Sequence, residues 1–416
     1  MADALGTRSP TVRSGSRIAE VDILRGFALF GILITNVIVA TSLWSVVGTR
    51  EDPVLRFGGT VDLLVRATVD ALFTGRFYLL FAFLFGYSFT LQIAAAHRAG
   101  ASPVGRLLRR CAALMVIGLV HVYLLWIGDI LTLYAFLCLV LIALRELRPR
   151  TAVIVGVVLY VTWSAWSFLP GENSLLAFGD FVDLPAISAD YTDTFASTFS
   201  AQTALAPVFL LLIWFSQGVP SLAMFLIGMA AGKRNLFADP DTLRRWSRRA
   251  LVIGLGLGLP ISAMTFAETM TWWHAPAVIH GLQILVNPAM TFAYVAVILL
   301  AAQSARLGRY TALLAPAGRM AATNYIGQSI VLMLVYTGYG LALADDVPPA
   351  VVIAVGVVTF VAQLWLSAWW LSRHPYGPVE WVLRAATYWT VPTWRKSSAS
   401  VSRQPAPGDG IRPASG

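Results

Sequence analysis

Two ionisable residues stand where an apolar stretch has least reason to keep them. The segment RRCAALMVIGLVHVYLLWIGDILTLY, residues 109–134, is long enough to cross a bilayer and start back, yet it carries His121 and, at the bend, Asp129. Hydrocarbon penalises an ionisable group by ~3 kcal/mol or more, so those retained inside spans usually face a cavity or another helix. A buried neutral imidazole suits a general base near neutral pH, and a carboxylate beside it could fix its tautomer. A helix rises ~1.5 Å per residue, so His121 lies ~17 Å beyond Arg110, and the intervening ~100° steps return the two to nearly one face. One stripe thus joins a basic membrane edge to a buried imidazole. The plainer use of His121 is a hydrogen bond to a neighbouring helix, and spacing alone leaves both open.

Other polar residues share that pattern. In VDILRGFALFGILITN (21–36), Asp22, Arg25 and Asn36 fall on one helical face with Leu29. Asp22 and Arg25 can pair as i,i+3 neighbours at the membrane edge, and Asn36 lies ~21 Å deeper. In GRMAATNYIGQSIVLM (318–333), Asn324 and Gln328 stand one turn apart, placed for substrate contact or for interhelical hydrogen bonds. Asp62, Arg66 and Asp70, at i, i+4 and i+8, form a charged ladder with a structural role. No Cys/His cluster has zinc spacing and no Walker-type loop is present, so neither a metal nor a nucleotide-binding loop is expected.

The elements that position these residues follow from composition. Of 416 residues 57% are hydrophobic and only 12% charged, far from the roughly one quarter charged of a soluble domain. Apolar runs of eighteen or more residues recur along the chain, which predicts an all-α polytopic membrane bundle. The net charge of +9 is confined to particular loops, as in membrane proteins, and calls for a bilayer rather than nucleic acid as partner. Cys111 and Cys138 sit inside apolar runs as small core residues.

About ten spans can be drawn. Basic segments precede spans one, three, five, seven and nine and follow span ten, whereas the loop at about 170–205 holds Glu172, Asp180, Asp183, Asp190 and Asp193 without a Lys or Arg. This alternation places both termini in the cytoplasm. It also places Arg25, Arg110 and Arg319 at the cytoplasmic edge, and Asn36, His121 and Asp129 in the outer half. Residues 1–17 and 396–416 read as disordered tails around a single transmembrane domain at 18–395. HPYGPVEWVLRAATYWTVPTW, beyond span ten, reads as an interfacial segment in which Glu380 and Arg384 pair.

Taken in order, VDILRGFALFGILITN (21–36), GRFYLLFAFLFG (75–86), LLRRCAALMVIGLVH (107–121), WIGDILTLYA (126–135), GRMAATNYIGQS (318–329) and HPYGPVEWVLR (374–384) resemble the YeiB-like family of bacterial membrane proteins. The shared C-terminal half of that family, about 230–395 here, is a domain of unknown function. The Asp22-x-x-Arg25-Gly26 pattern of the first span looks like that of membrane acyltransferases, among them the acyltransferase-three group and the lysosomal glucosaminide acetyltransferase. That likeness implies about ten helices and a cytoplasmic acyl-CoA co-substrate that donates an acyl group to an acceptor across the membrane, with no resident cofactor. The His-bearing motifs of those enzymes do not align here, so His121 carries over as an analogue. On this reading His121 and Asp129 are catalytic, and Asp22, Arg25, Asn36, Arg110, Asn324 and Gln328 bind substrate, with Arg106 and Arg109 also near the CoA phosphates. The rival expectation is a permease for a small molecule, in which the same groups line a path.

Overall fold

The computed structural model describes residues 18–46, 57–168, 184–238, 240–344 and 346–396. The polar tails at 1–17 and 397–416 and the acidic part of the loop at 169–183 lie outside the described residues. Within them the chain forms fifteen helices and no strand. These are α1 (Ala19–Val46), α2 (Thr60–Leu72), α3 (Phe77–Arg98), α4 (Pro103–Leu124), α5 (Leu131–Ala143) and α6 (Pro149–Trp166). There follow α7 (Leu184–Asp190), α8 (Phe195–Lys233), α9 (Pro240–Thr269), α10 (Ala277–Ala302) and α11 (Gly308–Thr311). The chain closes with α12 (Leu314–Arg319), α13 (Ala321–Tyr336), α14 (Pro349–Arg373) and α15 (Pro378–Tyr388).

Seven segments are long and apolar enough to cross a membrane: 19–41, 60–98, 103–124, 195–233, 240–269, 278–302 and 349–373. Their outward side chains stay apolar. Leu211, Val252 and Val358 are 72%, 73% and 68% exposed, which water would oppose and lipid tails accept. The protein is therefore a multi-pass membrane protein. Three more of the expected spans are shorter: α5 has 13 residues, α6 has 18 and α13 has 16. At ~1.5 Å per residue α5 rises only ~18 Å, well short of a ~30 Å hydrocarbon core.

Helix α1 packs against α3, α10, α12, α13 and α14. A Cβ at Gly26 would collide with the Leu314 carbonyl, and one at Gly318 with the Asp22 carbonyl. Both motif glycines let α1 and α12 touch backbone to backbone. The loop expected at 170–205 is helical over its last third, because α8 already starts at Phe195. Thr194 and Ser197 cap it reciprocally, the Ser197 N–H reaching Thr194 Oγ1 at 3.2 Å and the Thr194 N–H reaching Ser197 Oγ at 2.9 Å.

Two expected charge pairings are replaced by helix caps. Arg66 and Asp70 approach at 3.9 Å, but buried Asp62 accepts the N–H of Ala350 at 3.0 Å, at the start of α14. Glu380 does not pair with Arg384. It accepts the N–H groups of Ala322 and Thr323 at 2.7 and 3.2 Å and the Thr323 hydroxyl at 2.6 Å, which caps α13. Carboxylates are drawn to the unsatisfied N–H groups and the positive dipole of a helix start. The interfacial segment is held by aromatic packing, with His374 stacked on Trp370 at 4.1 Å between ring centres. Lys396, expected in the tail, donates to the Leu371 carbonyl at 2.6 Å.

Candidate functional site

His121 sits near the end of α4, and both ring nitrogens are engaged. Nδ1 is 2.9 Å from Asp129 Oδ1, and Nε2 is 2.8 Å from Ser329 Oγ on α13. All three residues are about 1% exposed. Asp129 stands two residues before α5 and accepts from that helix's start. The Leu131 N–H reaches Oδ1 at 3.2 Å, while the Thr132 N–H and hydroxyl reach Oδ2 at 2.8 and 2.7 Å. With His121 this makes four donors on one carboxylate, whose charge is further favoured by the N-terminal dipole of α5. The network continues outward, since Trp214 on α8 donates to Thr132 Oγ1 at 3.3 Å. Gly118 leaves the room this needs, because a Cβ there would lie 2.7 Å from the Thr132 nitrogen and 3.1 Å from Asp129 Oδ2.

A carboxylate that can only accept obliges Nδ1 to carry the proton, which leaves Nε2 as an acceptor for the serine hydroxyl. The result is a hydroxyl–imidazole–carboxylate chain crossing from α13 through α4 to the start of α5. The Tyr325 ring, one turn before Ser329, lies tilted by 41° against the His121 ring, 5.1 Å between centres. Its hydroxyl donates to the Gly128 carbonyl at 3.1 Å and accepts the Ile130 N–H at 3.3 Å.

Beside this chain, toward the end of the bundle where the basic loops gather, lies a cavity of about 290 Å³. Arg25, Arg110, Arg319 and Arg384 line it together with Glu380, and Ile130, Leu131 and Tyr325 form part of its wall. The last three are bonded to, or adjacent in sequence to, the Asp129 turn, and Tyr325 both lines the cavity and faces the His121 ring. Arg25 is partly neutralised by Asp22 at 3.1 Å and also donates to Ser88 on α3. Arg384 is stacked between Tyr376 and Tyr388 at 4.7 and 4.6 Å. Arg110 makes no hydrogen bond or ion pair among the described residues, and its Nε is buried without a partner. Four guanidinium groups against one carboxylate at the wall make a site for an anion.

The residues singled out from sequence divide into two groups. Asp22, Arg25, Arg110, His121 and Asp129 gather at or just behind the cavity. Asn324 and Gln328 instead bind helices together. Asn324 Nδ2 donates to the Ala317 carbonyl at 3.1 Å and to Ser367 Oγ at 2.9 Å, and Gln328 Nε2 donates to Gln363 Oε1 at 3.0 Å. Asn36 is half-buried on α1 and does not line the cavity. Arg106 stacks on Tyr388 at 5.0 Å and Arg109 donates to the Thr387 carbonyl at 3.0 Å, so both tether α15 and neither lines the cavity. Sequence reasoning passed over Tyr325, Ser329 and Thr132, and read Arg384 only as a partner of Glu380. Tyr325 and Ser329 form a second one-turn pair on α13, about 100° round from Asn324 and Gln328.

Residues 231–390 match the family described as "Protein of unknown function (DUF418)". Along its length the chain is homologous to the uncharacterized protein YxaH of Bacillus subtilis (strain 168), at 28% identity over 407 residues, covering 92% of this chain and 97% of the relative. It is likewise homologous to the uncharacterized protein YeiB of Escherichia coli (strain K12), at 26% identity over 403 residues, covering 89% of this chain and 96% of the relative. An uncharacterized 39.9 kDa protein of Bacillus acidopullulyticus, encoded in the amylase 3′ region, is 26% identical over 378 residues, or 89% of this chain and 94% of the relative. No solved structure matches.

Proposed function

We propose that this membrane protein, with a DUF418 domain in its C-terminal half and full-length homology to YeiB, is an acyltransferase that draws on cytoplasmic acyl-CoA. The observation that carries the reading is an arginine-lined cavity whose wall residue Tyr325 faces a His–Asp pair. Guanidinium forks match phosphate oxygens bidentately, and CoA is a polyphosphate. The thioester end enters the cavity and the nucleotide remains at its mouth. His121 is then the base that takes a proton from a hydroxyl or amine, and Asp129 holds its tautomer. The donor side is cytoplasmic because basic loops stay inside. About ten segments enter the membrane, with α4 and the short α5 as the two limbs of one hairpin, and both termini are cytoplasmic.

The test is binding and turnover of acetyl-, octanoyl- and palmitoyl-CoA by purified protein in nanodiscs. The expected result is saturable binding of at least one donor that free CoA displaces, with slow release of CoA thiol. Protein that neither binds nor consumes any of these, but moves a solute down a gradient, would establish the permease instead. Orientation is tested separately with an impermeant thiol reagent on intact cells. Ala196→Cys should label and Arg248→Cys should not, both positions being exposed and the native Cys111 and Cys138 buried.

A further inference from the structure

We propose that Ser329 is the nucleophile of this site and carries the acyl group as a serine ester between donor and acceptor, an inference that rests on the acyltransferase reading. A serine inside an apolar helix ordinarily satisfies its hydroxyl on the carbonyl four residues back. Ser164 does so here, donating to the Tyr160 carbonyl at 2.8 Å. Ser329 differs. Its corresponding carbonyl, that of Tyr325, lies at 3.3 Å, while His121 Nε2 lies at 2.8 Å. The imidazole takes the better bond, and its other nitrogen is held at 2.9 Å by a carboxylate with three further donors. A hydroxyl against the acceptor nitrogen of an imidazole, with a fixed carboxylate behind, is the arrangement that activates a serine, recognised by geometry and roles rather than by sequence order. The three residues come from parts of the chain up to 208 positions apart.

The chemistry balances without a further reactant. Ser329 Oγ attacks the thioester carbonyl carbon as its proton passes to His121 Nε2. The C–S bond breaks, and the proton goes to the departing thiolate to give CoA thiol and a serine ester. In the second half the acceptor hydroxyl or amine gives a proton to Nε2 and attacks the ester carbonyl. The C–O bond to Ser329 breaks, and the proton returns to its oxygen. A covalent relay suits the position. Ser329 lies eight residues, or ~12 Å, along α13 from its start beside the arginines. The acyl group can therefore pass inward while the phosphates of the donor stay at the cavity. Access runs past Tyr325, whose ring must swing from the wall to admit the thioester.

The experiment uses full-length protein in nanodiscs with the three acyl-CoA donors, each labelled in the acyl group, and no acceptor. Acid quench and peptide mass spectrometry should find one acyl group on the peptide bearing Ser329, with a burst of about one CoA per protein. Ser329→Ala should abolish label and burst and slow CoA release at least ~100-fold. Ser329→Cys, the isosteric control for folding, should carry a thioester cleaved by neutral hydroxylamine. A wild-type protein that releases CoA with no label at Ser329, or a Ser329→Ala variant that releases it at the wild-type rate, overturns the serine ester and leaves the acyltransferase standing. A wild-type protein that consumes none of the donors overturns both.

Discussion

Two interruptions of the helical bundle bury charge, and they handle it in opposite ways. At the bend between α4 and α5 the charge is Asp129, seated on the start of α5 and passing its hydrogen bonds to His121 and Ser329. At the break between α2 and α3 it is Arg76, fully buried and without a carboxylate partner among the described residues. Its guanidinium donates to the Ala71 carbonyl in the last turn of α2 and to Ser262 on α9 at 2.8 Å. Each charge meets the helix end of opposite polarity, which offsets part of its desolvation. The difference lies in what comes next. Beyond Asp129 stand an imidazole, a hydroxyl and then a cavity. The guanidinium of Arg76 ends on a backbone carbonyl and a lone serine, and Arg76 lines neither the arginine cavity nor the apolar groove between α8, α9 and α10. A buried ion alone therefore does not mark a reactive site. A hydrogen-bonded hydroxyl–imidazole–carboxylate chain next to a binding space does.

The largest effects should separate these two centres. His121→Gln keeps a hydrogen-bonding side chain of similar size but cannot serve as base, so donor turnover should fall ~100- to 10,000-fold. Its thermal unfolding in detergent should stay within a few degrees of wild type. Arg76→Ala should do the reverse. It leaves the Ala71 carbonyl short of a donor and opens a void, together worth about 3 kcal/mol or more, so the unfolding temperature should drop clearly while turnover per folded molecule is retained. If Arg76→Ala folds normally and silences turnover, the break belongs to the reaction path and the contrast fails.

What was legible from sequence follows the same division. Period and depth on one helix can be read from spacing, so Arg110 and His121 could be put on one stripe, and Asp129 stood out as an acid at an apolar bend. Hydropathy likewise marks the long spans. Contacts between distant helices cannot be read this way. Ser329 was hidden because serine is common in spans, and the more polar Asn324 and Gln328 drew notice on the neighbouring face. Asn36 shows the converse, since a shared face with Arg25 does not ensure a shared cavity. Nothing in GRFYLLF tells that Arg76 is buried against the Ala71 carbonyl and Ser262.

A smaller effect probes the cavity side of the comparison. Arg110, unlike Arg76, makes no hydrogen bond or ion pair among the described residues, so its removal should cost ligand rather than fold. A hydrogen bond to a charged group contributes ~1.5–3 kcal/mol. Arg110→Ala should therefore raise the donor concentration needed for half-saturation roughly 10- to 100-fold, with unfolding temperature unchanged. Isothermal titration with free CoA reads this without any turnover. Equal CoA affinity in wild type and variant would remove Arg110 from the anion site.

The smallest expected effect tests whether capping a helix is the common use of isolated carboxylates here. Glu380 lines the cavity but its oxygens are taken up by Ala322 and Thr323 at the start of α13, the helix that carries Tyr325 and Ser329. Loss of an N-terminal cap costs ~0.5–2 kcal/mol, and the site is partly open to the cavity. Glu380→Ala should thus lower the unfolding temperature by a few degrees and reduce folded yield. Glu380→Gln keeps an oxygen that can accept the N–H groups and should recover most of that loss. It also removes the one acidic group at the arginine wall, so CoA should bind somewhat more tightly to Glu380→Gln than to wild type. If Glu380→Gln is as unstable as Glu380→Ala, the charge itself anchors α13. If both match wild type, α15 is only a loose cover at the basic end, and the start of α13 is held by its packing on α12 and α14.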